Sequence, residues 1–161
     1  MRSSLFGLGT LLLLSDPARG ATDASTPSAA IESSLVSKLA KELDGGNRQA
    51  EAAFWKAVQG KAPLVEVVPA DDAENLVTYL WRGSAATQKV DMLGGVPTSN
   101  RAKGWEHLRG SDVWFNSQRT PKTARFGYAL RENGRDFQTD PLNPRTCAGR
   151  SILALENAPT E

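Results

Sequence analysis

Apolar residues recur every fourth position at Ile31, Leu35, Leu39 and Leu43, with Val36 beside them, and the stripe stops at Gly45-Gly46. That spacing predicts a short amphipathic helix closed by the glycine pair. Asn47 is placed to cap a second helix, with Ala50, Phe54, Ala57 and Val58 on one side and Gly60 at its end. The two helices are expected to pack against whatever follows them. From Leu64 the period shortens to two. Leu64 to Val68 is an apolar run closed by Pro69, and Leu76 to Arg82 sets Val77, Tyr79 and Trp81 against Leu76, Thr78 and Leu80. Large apolar groups on both faces predict a central strand, buried on one side and partly covered on the other.

Further strands are predicted at Gln88 to Leu93, Trp105 to Leu108, Val113 to Phe115 and Ala124 to Leu130, where Phe126, Tyr128 and Leu130 share one face. Asn133-Gly134 is a hairpin signal because both turn positions need positive φ, and it predicts a returning strand from Arg135. A last strand, Ser151 to Leu155, closes the set. Short strands separated by Gly and Pro turns predict a mainly β fold: an immunoglobulin-like β-sandwich preceded by two short α-helices. Gly94 to Lys103 is the longest predicted loop.

The first residues have a different character. Arg2, the apolar stretch Leu5 to Leu14 and the small residues around Ala18-Arg-Gly20 are ordered as in an export signal, too short to span a membrane. The chain therefore divides into a signal peptide at 1–20, a Thr/Ser/Ala/Pro linker at 21–30, a helical segment at 31–60 and the β-sandwich module at 61–161, with a periplasmic or secreted location expected.

A length of 161 residues supports one ordinary domain. A formal charge of +1 provides no field for nucleic acid, and none is expected as a partner. Cys147 is the single cysteine and His107 the single histidine, so neither an internal disulfide nor a clustered zinc site is available, and no metal or cofactor is expected. Gly149-Arg-Ser-Ile-Leu153 lacks the second glycine of a nucleophile elbow, and His107 has no matched nucleophile, so no catalytic residues are assigned. Asp71-Asp72 reads as a solvated turn.

Five segments stand out in order: Phe54-Trp55, Pro63-Leu-Val-Glu66, Val77-Thr-Tyr-Leu-Trp-Arg-Gly83, Ser111-Asp-Val-Trp-Phe115 and Asp140-Pro-Leu-Asn-Pro144. Together they resemble the N-terminal, early-set domain of the enterochelin (enterobactin) esterase family over roughly residues 48 to 159. Departures are mild: Lys61-Ala62 stands for a glycine-threonine pair, and Ser111 and Phe115 for threonine and tyrosine. In that family a serine-hydrolase domain follows this module. The resemblance implies an accessory, ligand-positioning role in handling ferric siderophores, with an α/β-hydrolase as partner, in trans or missing from this chain, and no esterase activity of the chain alone.

By their chemistry, Trp55, Glu66, Trp81, Asp112, Asp140, Pro141, Asn143 and Pro144 read as architecture. Ser111 and Asp112 can close a turn, with Val113 and Phe115 on one side of a strand and Trp114 on the other, and Asp140 to Pro144 forms a rigid corner with Asx-type bonds. The candidate ligand-binding residues are Arg82, Arg101, Trp105, His107, Arg109, Trp114 and Arg145, because guanidinium forks and indole faces suit an anionic, aromatic ferric catecholate. Two alternatives belong to other classes. One is a glucan-binding module using Trp81, Trp105 or Trp114 as a stacking platform, which requires exposed indole faces. The other is a truncated fragment with no independent activity.

Overall fold

In the computed structural model, residues 31–69, 71–95 and 104–160 are described; the expected signal and linker at 1–30 and most of the predicted loop at 94–103, Arg101 included, lie outside them. Helix α1 spans Ser34–Asp44 and α2 Ala50–Val58. The strands are β1 Leu64–Val67, β2 Glu74–Arg82, β3 Val90–Gly94, β4 Glu106–His107, β5 Val113–Pro121, β6 Arg125–Glu132, β7 Thr146–Cys147 and β8 Arg150–Ala154. They form two antiparallel sheets, ordered β1-β2-β5-β4 and β3-β6-β8-β7. This is a β-sandwich, and the helices add a third layer.

The layering follows from strand alternation. Leu80 of β2 and Val113 and Phe115 of β5 face the helices and share a core with Val36, Leu39, Phe54, Trp55 and Val58. Val77, Tyr79 and Trp81 face the other way and meet Val90, Tyr128, Leu130 and Leu153 of the second sheet. Asn75 to Trp81 are therefore buried without a break, more deeply than half-covered strand periodicity implies. The helices close the face that the sequence pattern leaves only partly covered.

Several local expectations are corrected. Leu35 is 41% exposed, and the buried face of α1 is carried by Val36 and Leu39 with Ala40 and Leu43 packed against them. At 3.6 residues per turn, spacings of three and four define the face, and a strict repeat of four drifts off it. Ala57 is exposed. Asn47 does not cap α2; its Oδ1 accepts from the Gln49 N–H at 3.1 Å in the turn before the helix, and Gln49 is the capping position. Gly60, at φ +71°, ends the helical segment as expected.

Asn133-Gly134 forms the expected turn, with both residues at positive φ and the Arg135 N–H bonded to the Glu132 carbonyl at 3.0 Å. No returning strand follows. Only Gln138 bridges Leu130, through a reciprocal pair of bonds at 2.8 Å. Strand β8 pairs with β6 only from Arg125 to Tyr128, so the Leu130–Gln138 bridge lies just beyond it, and the chain then enters the Asp140 corner instead of extending a ladder. Strand β5 extends to Pro121, six residues past Phe115, because all nine residues of β2 pair with it. Conversely, β4 is limited to Glu106–His107, which pair with Phe115 and Trp114.

Candidate functional site

The end of the first sheet where β2 stops and β5 begins gathers three of the five sequence segments. Asp112 lies at its centre. The Trp55 indole N–H donates to Asp112 Oδ1 at 2.6 Å, and Arg82 Nε donates to Oδ2 at 2.7 Å. The Asp112 backbone N–H donates to Glu51 Oε1 at 2.6 Å, and the Arg82 guanidinium lies over the Trp55 ring at 5.5 Å. One carboxylate thus joins α2 to both central strands. Burial opposes the charge on Asp112, but bonds from Glu51, Arg82 and Trp55 outweigh it and hold the carboxyl below its usual range. Glu51 moves the opposite way, because its hydrogen bond with Asp112 and its own desolvation favour the protonated form. The two carboxyls therefore titrate as a coupled pair, in which Glu51 takes up a proton before Asp112 and the charge is held longest beside Arg82.

Turn chemistry fixes this arrangement. Ser111 Oγ accepts from the Val113 N–H at 3.1 Å and donates to the Leu108 carbonyl at 2.9 Å. Asp112 does not take the turn-closing role expected of it, since its oxygens receive side chains. Gly83 donates to the Asp112 carbonyl at 2.7 Å, and a Cβ there would stand 2.8 Å from the Trp114 indole. A larger residue would displace the ring.

On the opposite face of the same sheet end, His107 stacks on Trp114 with ring centroids 4.8 Å apart and 23° between planes. His107 Nε2 lies 2.8 Å from the Ser111 carbonyl, so that nitrogen carries the proton. Trp114 and Trp105 are half-buried against the inter-sheet core, while Trp81 and Trp55 are buried. Arg109 is exposed in the adjoining turn. Arg82, Trp105, His107, Arg109 and Trp114 thus meet at one end of the sandwich. Arg145 does not join them; it follows the Asp140 corner and lines a separate cleft.

The remaining structural residues anchor elements. The Ser34 N–H donates to Glu66 Oε1 at 2.9 Å and the Ser34 hydroxyl reaches the same oxygen, placing a carboxylate at the positive end of α1. Asp140 Oδ2 accepts from the Tyr128 hydroxyl at 2.7 Å, Oδ1 from the Leu142 N–H at 2.8 Å, and Asn143 donates to the Tyr128 hydroxyl at 3.1 Å. Pro141 and Pro144 stiffen the turn between these contacts. Burial pushes the Asp140 carboxyl up, and the Tyr128 bond only partly offsets this. Glu51 is the residue that sequence reasoning missed; its signal was a carboxylate one helical turn before Trp55 on α2. Among the described residues no cluster of His, Cys, Asp or Glu could hold a metal ion, and no helix is long and apolar enough to cross a membrane.

Fold and site together define a helix-backed β-sandwich whose loop end carries arginine and aromatic side chains. No family model matches the chain. In sequence it is 28% identical over 158 residues to the iron(III) salmochelin esterase of Escherichia coli, an alignment that covers 78% of this chain and 37% of the relative. Enterobactin esterase from Shigella flexneri, crystallised in the presence of enterobactin, superposes with a TM-score of 0.54 at 20% identity, over 67% of this chain and 36% of that one. The ferric enterobactin esterase of Salmonella typhimurium gives 0.51 at 19% identity, over 68% and 37%. The chain is thus similar in sequence to the salmochelin esterase and in fold to the enterobactin esterases over most of its own length, and it spans little more than a third of theirs.

Proposed function

We propose that this chain is the accessory, ligand-positioning module of a siderophore-esterase-type protein, exported to the periplasm or beyond, which acts beside an α/β-hydrolase. The strand orders β1-β2-β5-β4 and β3-β6-β8 run as in constant-type immunoglobulin domains, which supports the early-set reading. The similarity to a salmochelin esterase supports a role in siderophore chemistry. The observation that carries the positioning role is the aim of Arg82. Asp112 receives its Nε and the guanidinium lies over Trp55, so a 62%-exposed side chain is fixed at two points while the contact to Asp112 does not use its terminal amino groups. Such a fork suits the oxygens of an anionic catecholate, while Arg109 and the Trp114–His107 stack belong to the same sheet end, the stack on its other face. Arg101, next to this end in sequence, belongs to the same proposal.

The reading also assigns no ester hydrolysis to this chain alone. His107, the single histidine, has Nε2 committed to a backbone carbonyl and its ring to an indole. A glucan platform is less well supported, because Trp81 is buried and Trp105 and Trp114 are packed against the core. Titration of the purified chain with a ferric catecholate, followed by tryptophan fluorescence with an iron-free inner-filter control, should give saturable quenching that weakens about tenfold in Arg82→Ala. Quenching by a soluble glucan and not by the catecholate would replace this reading with the carbohydrate one. Silence toward both would leave the chain a scaffold without a ligand role.

A further inference from the structure

A cleft of about 350 Å³ opens between the edge strand β1 and strand β8, near the start of β2 and away from the Arg82 end. Val65 and Leu153 give its lining an apolar part, and its volume falls in the range of small-molecule sites. Two features set it apart from a packing fault. Asn75 lines it while only 4% exposed, and its Oδ1 is buried without a hydrogen-bond partner. An unmet acceptor at that depth is destabilising, and a donor supplied by a ligand would relieve that cost.

The second feature is charge at the mouth. Lys61 and Arg145 both line the cleft, and neither is paired with an acid among the described residues. Glu156, the acid on the same rim, is met by Lys122 Nζ at 3.2 Å, so its charge is already answered. Arg145 is also held in place: its backbone N–H donates to Asn143 Oδ1 at 2.8 Å, and its carbonyl accepts from the Ile152 N–H at 2.8 Å. The mouth therefore presents two cations on a fixed frame above a buried acceptor.

We propose that this cleft is a second ligand site, which takes a small organic anion with an apolar body and one N–H or O–H donor. The anionic group meets Lys61 and Arg145, the body lies on Val65 and Leu153, and the donor reaches Asn75 Oδ1. The site is independent of the Arg82 end and does not rest on the reading given for it.

Indoleacetate has this chemistry and serves as the probe, with its N-methyl derivative removing the donor and indoleacetamide removing the charge. In amide-resolved NMR titrations of the full chain, indoleacetate should shift the signals of Val65, Asn75, Arg145 and Leu153 saturably. Affinity should fall about tenfold for each altered probe, and by a similar factor in the surface double variant Lys61→Ala/Arg145→Ala, whose spectrum should otherwise match the parent. Absent or unsaturable shifts overturn the proposal, as does their appearance at Trp114 instead. Equal binding of the N-methyl probe removes Asn75 from the site and the proposal with it, and an unchanged affinity in the double variant does the same for the cations.

Discussion

At the scale of the residue, Asp112 serves two partners of unequal exposure, and they are not equally valuable. The indole of Trp55 is buried and loses its only hydrogen-bond acceptor when the carboxylate is removed, whereas the Arg82 side chain is 62% exposed and keeps water in exchange. Asp112→Ala should therefore cost about 2–3 kcal/mol in urea unfolding, and Arg82→Ala less than about 1 kcal/mol. Similar losses in the two variants would place the stability in the ion pair. Asp140 makes a different prediction, because burial raises its carboxyl above the ordinary value of 3.8. A raised carboxyl contributes stability that is fully present below the unfolded value and is lost as pH rises through the folded one. The parent should thus lose stability relative to Asp140→Asn as pH climbs from about 4, measured as the difference between their unfolding free energies across pH. A difference that is flat with pH, or that runs in the opposite direction, contradicts the assignment.

At the scale of the element, what was legible depended on whether neighbours or the chain itself set the outcome. The alternation of Val77, Tyr79 and Trp81 announces β2, and the faces of Val113, Trp114 and Phe115 are also as their spacing implies. The Asn133-Gly134 turn is likewise written in two residues, since both adopt positive φ. Its continuation was not legible, because the returning chain makes a single bridge at Gln138 and is then drawn into the corner that Asp140 builds with Tyr128 and Leu142, a tertiary arrangement the turn residues do not state. The length of β5 was hidden for a similar reason: Asn116 to Pro121 look polar, and only their partners in β2 make them a strand. The candidate site was half visible. Arg82, Trp55 and Asp112 stood out as motif residues, but their meeting on one carboxylate requires α2 to lie over the end of β2, which no local pattern states.

At the scale of the whole molecule, the helical segment is part of the core and not a prefix to it. Val36, Leu39, Phe54 and Val58 share one cluster with Leu80, Val113 and Phe115. A chain beginning at residue 61 would expose the outer face of the first sheet. It should elute as aggregates and bind a hydrophobic dye, whereas a chain beginning at residue 31 should stay monodisperse with a cooperative thermal transition. A soluble, cooperatively folding chain from residue 61 would show that the sheet needs no cover.

The ladder between β2 and β5 joins residues 74–82 to 113–121 and leaves the intervening stretch to supply β3 to one sheet and β4 to the other. The two central strands of the first sheet are therefore closed across a long excursion of chain, and the helix-side core, which joins Leu80 to Val113 and Phe115, cannot take shape before they meet. Time enters the fold at this point: conformational search across that loop, and not the quick coiling of α1 or α2, sets how long a newly made chain stays open to misassociation.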